Sequence, residues 1–217
     1  MHAIIIGATG ATGIDLLDQL LKDGDFHQVD IFVRRKPDQE HQKLFVYTID
    51  FDKPEKWKHL VKGDVLFSCM GTTLKAAGSK EAQWKIDYDY QYQFAKAARE
   101  NNVPGFVLVS SSFASPNSLF FYAKMKGKLE TAVKALAFPN LTILNPPILV
   151  RKNTDRLGEV TGLKLIRFFN KLGLFRSQKP LPTEILASVM VSAAKSKTNG
   201  ITILKSGEIW DFADRTG

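Results

Sequence analysis

The apolar positions of this chain alternate between short unbroken runs and longer periodic stretches. Residues 4–6, three isoleucines, form a β-branched run that reads as a strand buried on both faces. In residues 14–21, Ile14, Leu17, Leu20 and Leu21 recur at helical spacing, and Gly24 stops the stretch. Further strands are predicted over residues 29–33, 44–49, 65–68, 103–110, 141–144 and 201–204. Helices are predicted over residues 81–101, 120–137, 163–172 and 183–194, the last with Thr183 as N-cap and Glu184 in its first turn. The helix over 81–101 carries an aromatic stripe, Trp84, Tyr88 and Tyr92, beside Tyr90 and Phe94, which suits core or subunit contact. Strands that alternate with helices predict a doubly wound α/β sandwich around a mostly parallel sheet. No internal repeat interrupts this order.

The first strand breaks into Gly7-Ala8-Thr9-Gly10-Ala11-Thr12-Gly13 before its helix begins. Such a strand–turn–helix unit holds a dinucleotide pyrophosphate. Gly7 permits the turn, Gly10 lets the phosphates approach the backbone, and Gly13 lets the helix pack on the strand. Free N–H groups around Thr9, Ala11 and Thr12, with the positive end of the helix dipole, then face the anion. About twenty residues further on, where an acidic side chain would select NAD(H), the chain has Arg34 and Arg35. A guanidinium grips a 2′-phosphate that a carboxylate repels, so the expected cofactor is NADP(H) rather than NAD(H). The third strand ends in Asp50-Phe51. Asp50 would accept from the adenine amine or cap the next short helix, and Phe51 would cover a ring face. After the fourth strand, Met70 and Gly71 would line the middle of the cofactor with backbone groups, while Cys69 reads as a small buried hydrophobe.

With 217 residues, 44% of them hydrophobic and 24% charged, the chain suits one domain. Residues 1–150 would form the dinucleotide-binding core and residues 151–217 a small substrate-covering part. The net charge of +8 is scattered and accompanies no nucleic-acid-binding pattern, so it fits solvated faces and anionic ligands. Four histidines at isolated positions support no metal site. One cysteine excludes an internal disulfide, the nucleotide turn begins too early for a cleavable leader, and no apolar stretch spans a bilayer. These features together predict a soluble cytoplasmic protein without integral membrane association, monomeric or homodimeric.

The chemistry lies further along. The fifth strand ends in Ser110-Ser111-Ser112, and Tyr122 and Lys126 follow four residues apart on one face of a predicted helix. A phenol is a poor proton carrier at neutral pH, and a neighbouring ammonium favours its phenolate. Tyr122 would then serve as general acid toward a carbonyl oxygen or general base toward an alcohol. Ser111, or next Ser112, would hydrogen-bond the same oxygen.

The glycine turn, Arg34-Arg35, residues 69–73 (Cys-Met-Gly-Thr-Thr), residues 87–90 (Asp-Tyr-Asp-Tyr), the serine-tipped strand and Tyr122 to Gly127 resemble the short-chain dehydrogenase/reductase superfamily in its extended or atypical branch. The order of motifs is most similar to the HIV Tat-interacting-protein-type oxidoreductases and their bacterial relatives. That resemblance implies an NAD(P)-binding Rossmann fold with Tyr122 as proton donor or acceptor. It also implies Lys126 on the nicotinamide ribose hydroxyls, Thr9, Gly10, Ala11 and Thr12 on the phosphates, Arg34 with Arg35 on the 2′-phosphate, and Arg156 reaching the phosphates. Residues 145–148 (Asn-Pro-Pro-Ile) depart from the Arg-Pro-Gly that relatives often carry, so backbone near Ile148 and Leu149 would supply the nicotinamide contact. The function expected is an NADP(H)-dependent oxidoreductase acting on a small carbonyl or alcohol. The alternative is a non-catalytic NADPH-binding redox sensor that engages a protein partner. A sugar-nucleotide epimerase would need a larger substrate lobe than this chain has.

Overall fold

The computed structural model describes residues 1–150, 179–196 and 198–216. Seven parallel strands form one sheet in the order β3-β2-β1-β4-β5-β6-β9. They are β1 (His2–Ile6), β2 (Gln28–Val33), β3 (Leu44–Thr48), β4 (Val65–Ser68), β5 (Gly105–Val109), β6 (Asn140–Asn145) and β9 (Gly200–Lys205). A two-stranded parallel pair, β7 (Leu149–Val150) and β8 (Leu181–Pro182), stands apart from it.

Alternation along the central strands decides which layer each side chain joins. Ala3 and Ile5 of β1 point to the face covered by α1 (Ala11–Lys22) and α7 (Thr183–Ser196), where Leu16, Leu17, Leu20, Leu186 and Met190 close the core. Ile4 and Ile6 point to the opposite face, against Phe94, Leu129 and Val133 of α5 (Tyr90–Glu100) and α6 (Phe121–Ala135). A strand buried on both faces has no polar side to show, which is why its sequence is an unbroken apolar run. Each such fully buried Leu, Ile or Phe contributes about 1.5–3 kcal/mol of transfer free energy.

Three features differ from the sequence reading. The long helix predicted over 81–101 is three pieces: α4 (Lys80–Trp84), a π-helical turn (Lys85–Asp89) and α5. Two short helices, α2 (Pro54–Trp57) and α3 (Leu74–Ala77), and a terminal α8 (Ser206–Thr216) join the predicted set. The sheet and its helical cover continue past residue 150, because β9 is the seventh strand and α7 packs on α1. The helix expected over 163–172 lies outside the described residues.

The junction between β1 and α1 is backbone against backbone. Gly7 has φ +83°, and a Cβ on Gly13 would lie 2.1 Å from the Gly7 carbonyl oxygen. Gly13→Ala is expected to destabilise the fold by about 3 kcal/mol, lowering Tm by about 6–12 °C for a chain of this size. Gly24→Ala, whose new methyl meets open space, is expected to stay within about 0.5 kcal/mol of wild type. Thermal unfolding followed by circular dichroism checks the pair, and equal melting points would contradict the contact.

Candidate functional site

The strand order reverses between β1 and β4, and in open parallel sheets ligands gather outside the carboxyl ends at that point. The turn from β1 to α1 opens there. The Gly10 amide donates to the Gly7 carbonyl (3.0 Å), and the Ile14 amide to the Gly10 carbonyl (2.9 Å). Gly10 is the N-cap and brings no side-chain acceptor to the helix start. The first-turn amides of Ala11, Thr12 and Gly13 have no intrahelical acceptor, and the dipole adds positive potential. Thr9 and Gly10 are exposed, Ala11 is half-buried, and Thr12 and Gly13 are buried. This open cradle suits a phosphate. A Cβ on Gly7 would lie 2.6 Å from the Cys69 carbonyl carbon and the Met70 nitrogen, so the turn is pressed against the loop that follows β4.

Arg34 and Arg35 follow the end of β2 and are exposed, and neither guanidinium makes an ion pair with a described residue. One strand further out, Asp50 and Phe51 part company. Asp50 is exposed, accepts from the Asp52 amide (3.0 Å) and pairs with Lys53 (3.2 Å). Those two partners hold its carboxyl below the usual range, the backbone bond foremost. Asp50 therefore closes the turn ahead of α2 rather than capping the helix itself, whose N-cap is Lys53. Phe51 is 4% exposed and lies 5.2 Å from the Tyr90 ring and 5.6 Å from the Phe94 ring. The expectation that Phe51 covers a cofactor ring is corrected: it is core, because the chain turns inward one residue after Asp50.

After β4, Cys69 and Met70 are half-buried and Gly71 is exposed. Burial pushes the Cys69 thiol up to about 12, which agrees with a hydrophobe and not a nucleophile. The loop is tied down by a buried polar stripe of Gln83, Asp87 and Gln91, four residues apart along α4, the π turn and α5. Gln83 Nε2 donates to the Thr72 carbonyl (3.0 Å), and the Thr72 amide to Asp87 Oδ1 (2.8 Å). Ser68 Oγ donates to Gln91 Oε1 (2.7 Å), and Gln91 Nε2 to the Asp87 carbonyl (2.7 Å). Sequence reading followed the aromatic stripe and missed this polar one, although its i, i+4, i+8 spacing was there to read. Asp87 is 0% exposed and its Oδ2 makes no hydrogen bond with a described residue. Burial raises its carboxyl above the usual range, against the lowering pull of Lys126, the Thr72 amide and Gln83.

Tyr122 and Lys126 stand in the first two turns of α6. Tyr122 is 41% exposed, whereas Lys126 is 2% exposed, with its Nζ 6.0 Å from the Tyr122 ring centroid. Lys126 makes no hydrogen bond or ion pair with a described residue, although its charge acts on the Asp87 carboxyl. The 115–116 backbone lies against this helix. The Ser115 amide donates to the Ala123 carbonyl (3.0 Å), and a Cβ on Gly127 would come within 2.2 Å of the Ser115 carbonyl carbon. Of the three serines, Ser110 is buried with its hydroxyl donated to Glu130 (2.5 Å), which removes it as a substrate contact. Ser111 and Ser112 are half-buried at the edge. Leu149 is half-buried in β7, and Arg156 lies outside the described residues. The structure thus brings the glycine turn, the arginine pair, Met70, Gly71, Ser111, Tyr122 and Lys126 to one sheet edge, and takes Phe51 away from it.

A family model described as NAD(P)H-binding matches residues 7–196. The mitochondrial protein FMP52 of Meyerozyma guilliermondii is 40% identical over 154 residues, 69% of this chain and 66% of that one. FMP52 of Candida albicans, also named mitochondrial, is 32% identical over 207 residues, 92% of this chain and 90% of that one. Among solved structures, MoeE5 in complex with UDP-glucose and NAD superposes with a TM-score of 0.71 at 15% identity, covering 100% of this chain and 82% of that one. That likeness shows the fold. The mitochondrial relatives overturn the cytoplasmic placement read from the sequence. One thiol forms no internal disulfide in any compartment, so Cys69 discriminated nothing.

Asp87 gives the site a pH signature. Its carboxyl is raised in the folded chain, so its contribution to stability is fully present below the ordinary carboxylate range and is lost as pH rises through the folded value. Asp87→Asn keeps an acceptor for the Thr72 amide and removes the buried charge. The variant is expected to melt above wild type at pH 7, by about 2–4 °C per kcal/mol relieved, and to approach it near pH 4. Thermal melts at both pH values test this, and a difference independent of pH would contradict it.

Proposed function

Because the chain belongs to the NAD(P)H-binding family and carries the motif order of an atypical short-chain dehydrogenase/reductase, we propose that it is an NADP(H)-dependent oxidoreductase for small carbonyl or alcohol substrates. The observation that carries the reading is the pairing of an exposed Tyr122 with a buried Lys126 that no described residue neutralises by contact. A lysine with a purely structural role reaches water or meets a carboxylate. This one stays beside a phenol at the ligand edge of the sheet.

The amides of residues 9–13 would hold the pyrophosphate, and Arg34 with Arg35 the 2′-phosphate, in bidentate charge-assisted contacts. Backbone at Met70, Gly71 and Leu149 would line the remainder, and the carboxylate of Asp50, exposed although it holds the Asp52 amide and Lys53, would meet the adenine amine. When bound, NADPH supplies the hydride that reaches the carbonyl carbon. Tyr122 donates its hydroxyl proton to the carbonyl oxygen as the alcohol forms, and takes one back in the reverse direction. Lys126 stabilises the phenolate left behind and would hold the ribose hydroxyls of the nucleotide. Ser111, with Ser112 beside it, steadies the oxygen that receives the proton. By likeness to the FMP52 proteins, the enzyme acts in mitochondria.

Replacing both Arg34 and Arg35 with Ala is expected to weaken NADPH binding about 100-fold, the worth of about two charge-assisted hydrogen bonds. NADH affinity should change less than about threefold, well under 1.4 kcal/mol. Isothermal titration calorimetry with both nucleotides checks this, and equal losses would refute the 2′-phosphate assignment. Tyr122→Phe should reduce turnover by about 10²–10⁴-fold while leaving the NADPH dissociation constant unchanged. The assay is NADPH oxidation across a panel of aldehydes, ketones and quinones. A variant as active as wild type would leave a non-catalytic sensor as the better account.

A further inference from the structure

The face of α6 that carries Tyr122 and Lys126 continues, at the same four-residue step, to Glu130 and Lys134. Glu130 is buried in a stretch whose neighbours Met125, Leu129 and Val133 are core. A carboxylate in that setting is unfavourable unless donors converge on it. They do. Glu130 Oε1 accepts from Ser110 Oγ at the tip of β5 (2.5 Å) and from Asn145 Nδ2 at the end of β6 (2.7 Å), and Lys134 Nζ lies 3.8 Å from Oε2. The Asn145 amide nitrogen also donates to the Ser111 carbonyl (2.9 Å). A primary amide has two N–H donors, and both are engaged. The strand tips are registered in turn by the Ser110 amide on the Leu144 carbonyl (2.8 Å) and the Ser112 amide on the Pro146 carbonyl (3.1 Å).

We infer that Glu130 is the positioning residue of this site. Through Ser110 and Asn145 it clamps the serine-bearing tip of β5 to the helix that carries Tyr122 and Lys126. The argument is geometric. Ser111 and Ser112 ride on a loop, Tyr122 and Lys126 on a helix, and two groups that must address one substrate oxygen need a common reference. One carboxylate oxygen, shared between the ends of β5 and β6, is that reference. Asn145 acquires a role in this way. An asparagine supplies two protons to two acceptors, the Glu130 carboxylate and the Ser111 carbonyl, at one point.

The catalytic part of this inference rests on the oxidoreductase reading; the clamp itself does not, and the experiment separates them. Hydrogen–deuterium exchange of the full chain is compared for wild type, Glu130→Ala and Glu130→Gln, the last keeping an acceptor for both donors. Glu130→Ala is expected to speed exchange in residues 110–114 about tenfold or more, as loss of the protecting contacts implies. Residues 7–14 should keep their protection, and NADPH affinity should stay within about threefold, less than 1.4 kcal/mol. Glu130→Gln should restore residues 110–114 to near wild type. On an active carbonyl substrate, kcat should fall about tenfold in Glu130→Ala with KM little changed, as for an interaction made mainly in the transition state. Unchanged exchange in residues 110–114, or an equal rise in residues 7–14, overturns the clamp. If the clamp behaves as expected and Tyr122→Phe keeps full turnover, the catalytic reading fails and the positioning stands. Should Glu130→Ala not fold, Asn145→Ala cuts the same link from the β6 side and is read in the same way.

Discussion

One close approach organises the ligand edge: the start of α1 lies so near the end of β1 that Gly13 has no room for a side chain against the Gly7 carbonyl. Gly7 is in turn wedged against the backbone of Cys69 and Met70, with a positive φ that turns the chain sharply. Three backbone segments therefore meet without side chains between them. The result is a helix N-terminus set at the carboxyl end of the central strand, its free amides facing outward. Arg34 and Gly71 follow strands that end beside that cradle, and Tyr122 stands in the first turn of the helix after β5.

The loops around the cradle are held by buried polar contacts as well as by the packing of Cys69 and Met70 on the core. Loops that bear functional groups are ordinarily the mobile part of a fold. Here the segment after β4 is stitched to the helix behind it by Gln83, Asp87 and Gln91. The segment after β5 is tied to α6 and β6 through Glu130 and Asn145. Satisfied polar networks in a low-dielectric interior specify one arrangement more sharply than interchangeable methyl groups do. The π-helical turn belongs to the same design, because it lies between the α-helical pieces that carry Gln83 and Gln91 and itself presents Asp87 to the loop. Asp87 is the exception in this network: its Oδ2 has no hydrogen-bond partner among the described residues, and the charge of Lys126 acts on its carboxyl.

Local pattern was enough for much of this molecule. The unbroken run at residues 4–6, the glycine spacing after it and the leucines of α1 predict a nucleotide-type strand–turn–helix, because burial on both faces and a tight turn each leave a signature in residue type. The arginine pair and the Tyr122–Lys126 spacing were legible for the same reason: their positions follow from where a strand or helix ends. Phe51 was misread because alternation at a strand end gives no hint of where the chain turns, and the aromatic cluster of Tyr90 and Phe94 draws that ring inward. The cytoplasmic placement failed for a different reason, since composition carries no address.

What the sequence determined by itself is the set of elements, the turn and the residue types brought to the edge, all of them consequences of short-range periodicity and backbone sterics. The tertiary structure alone decided which polar groups became buried partners. Ser68 meets Gln91 across 23 residues, and Asn145 meets Ser111 across 34. Whether a serine is a substrate contact or a structural donor depends on what lies opposite it. Ser110 faces a carboxylate and is engaged, whereas Ser111 and Ser112 remain at the edge. Such choices arise from contacts between distant segments, and no window of neighbouring residues contains them.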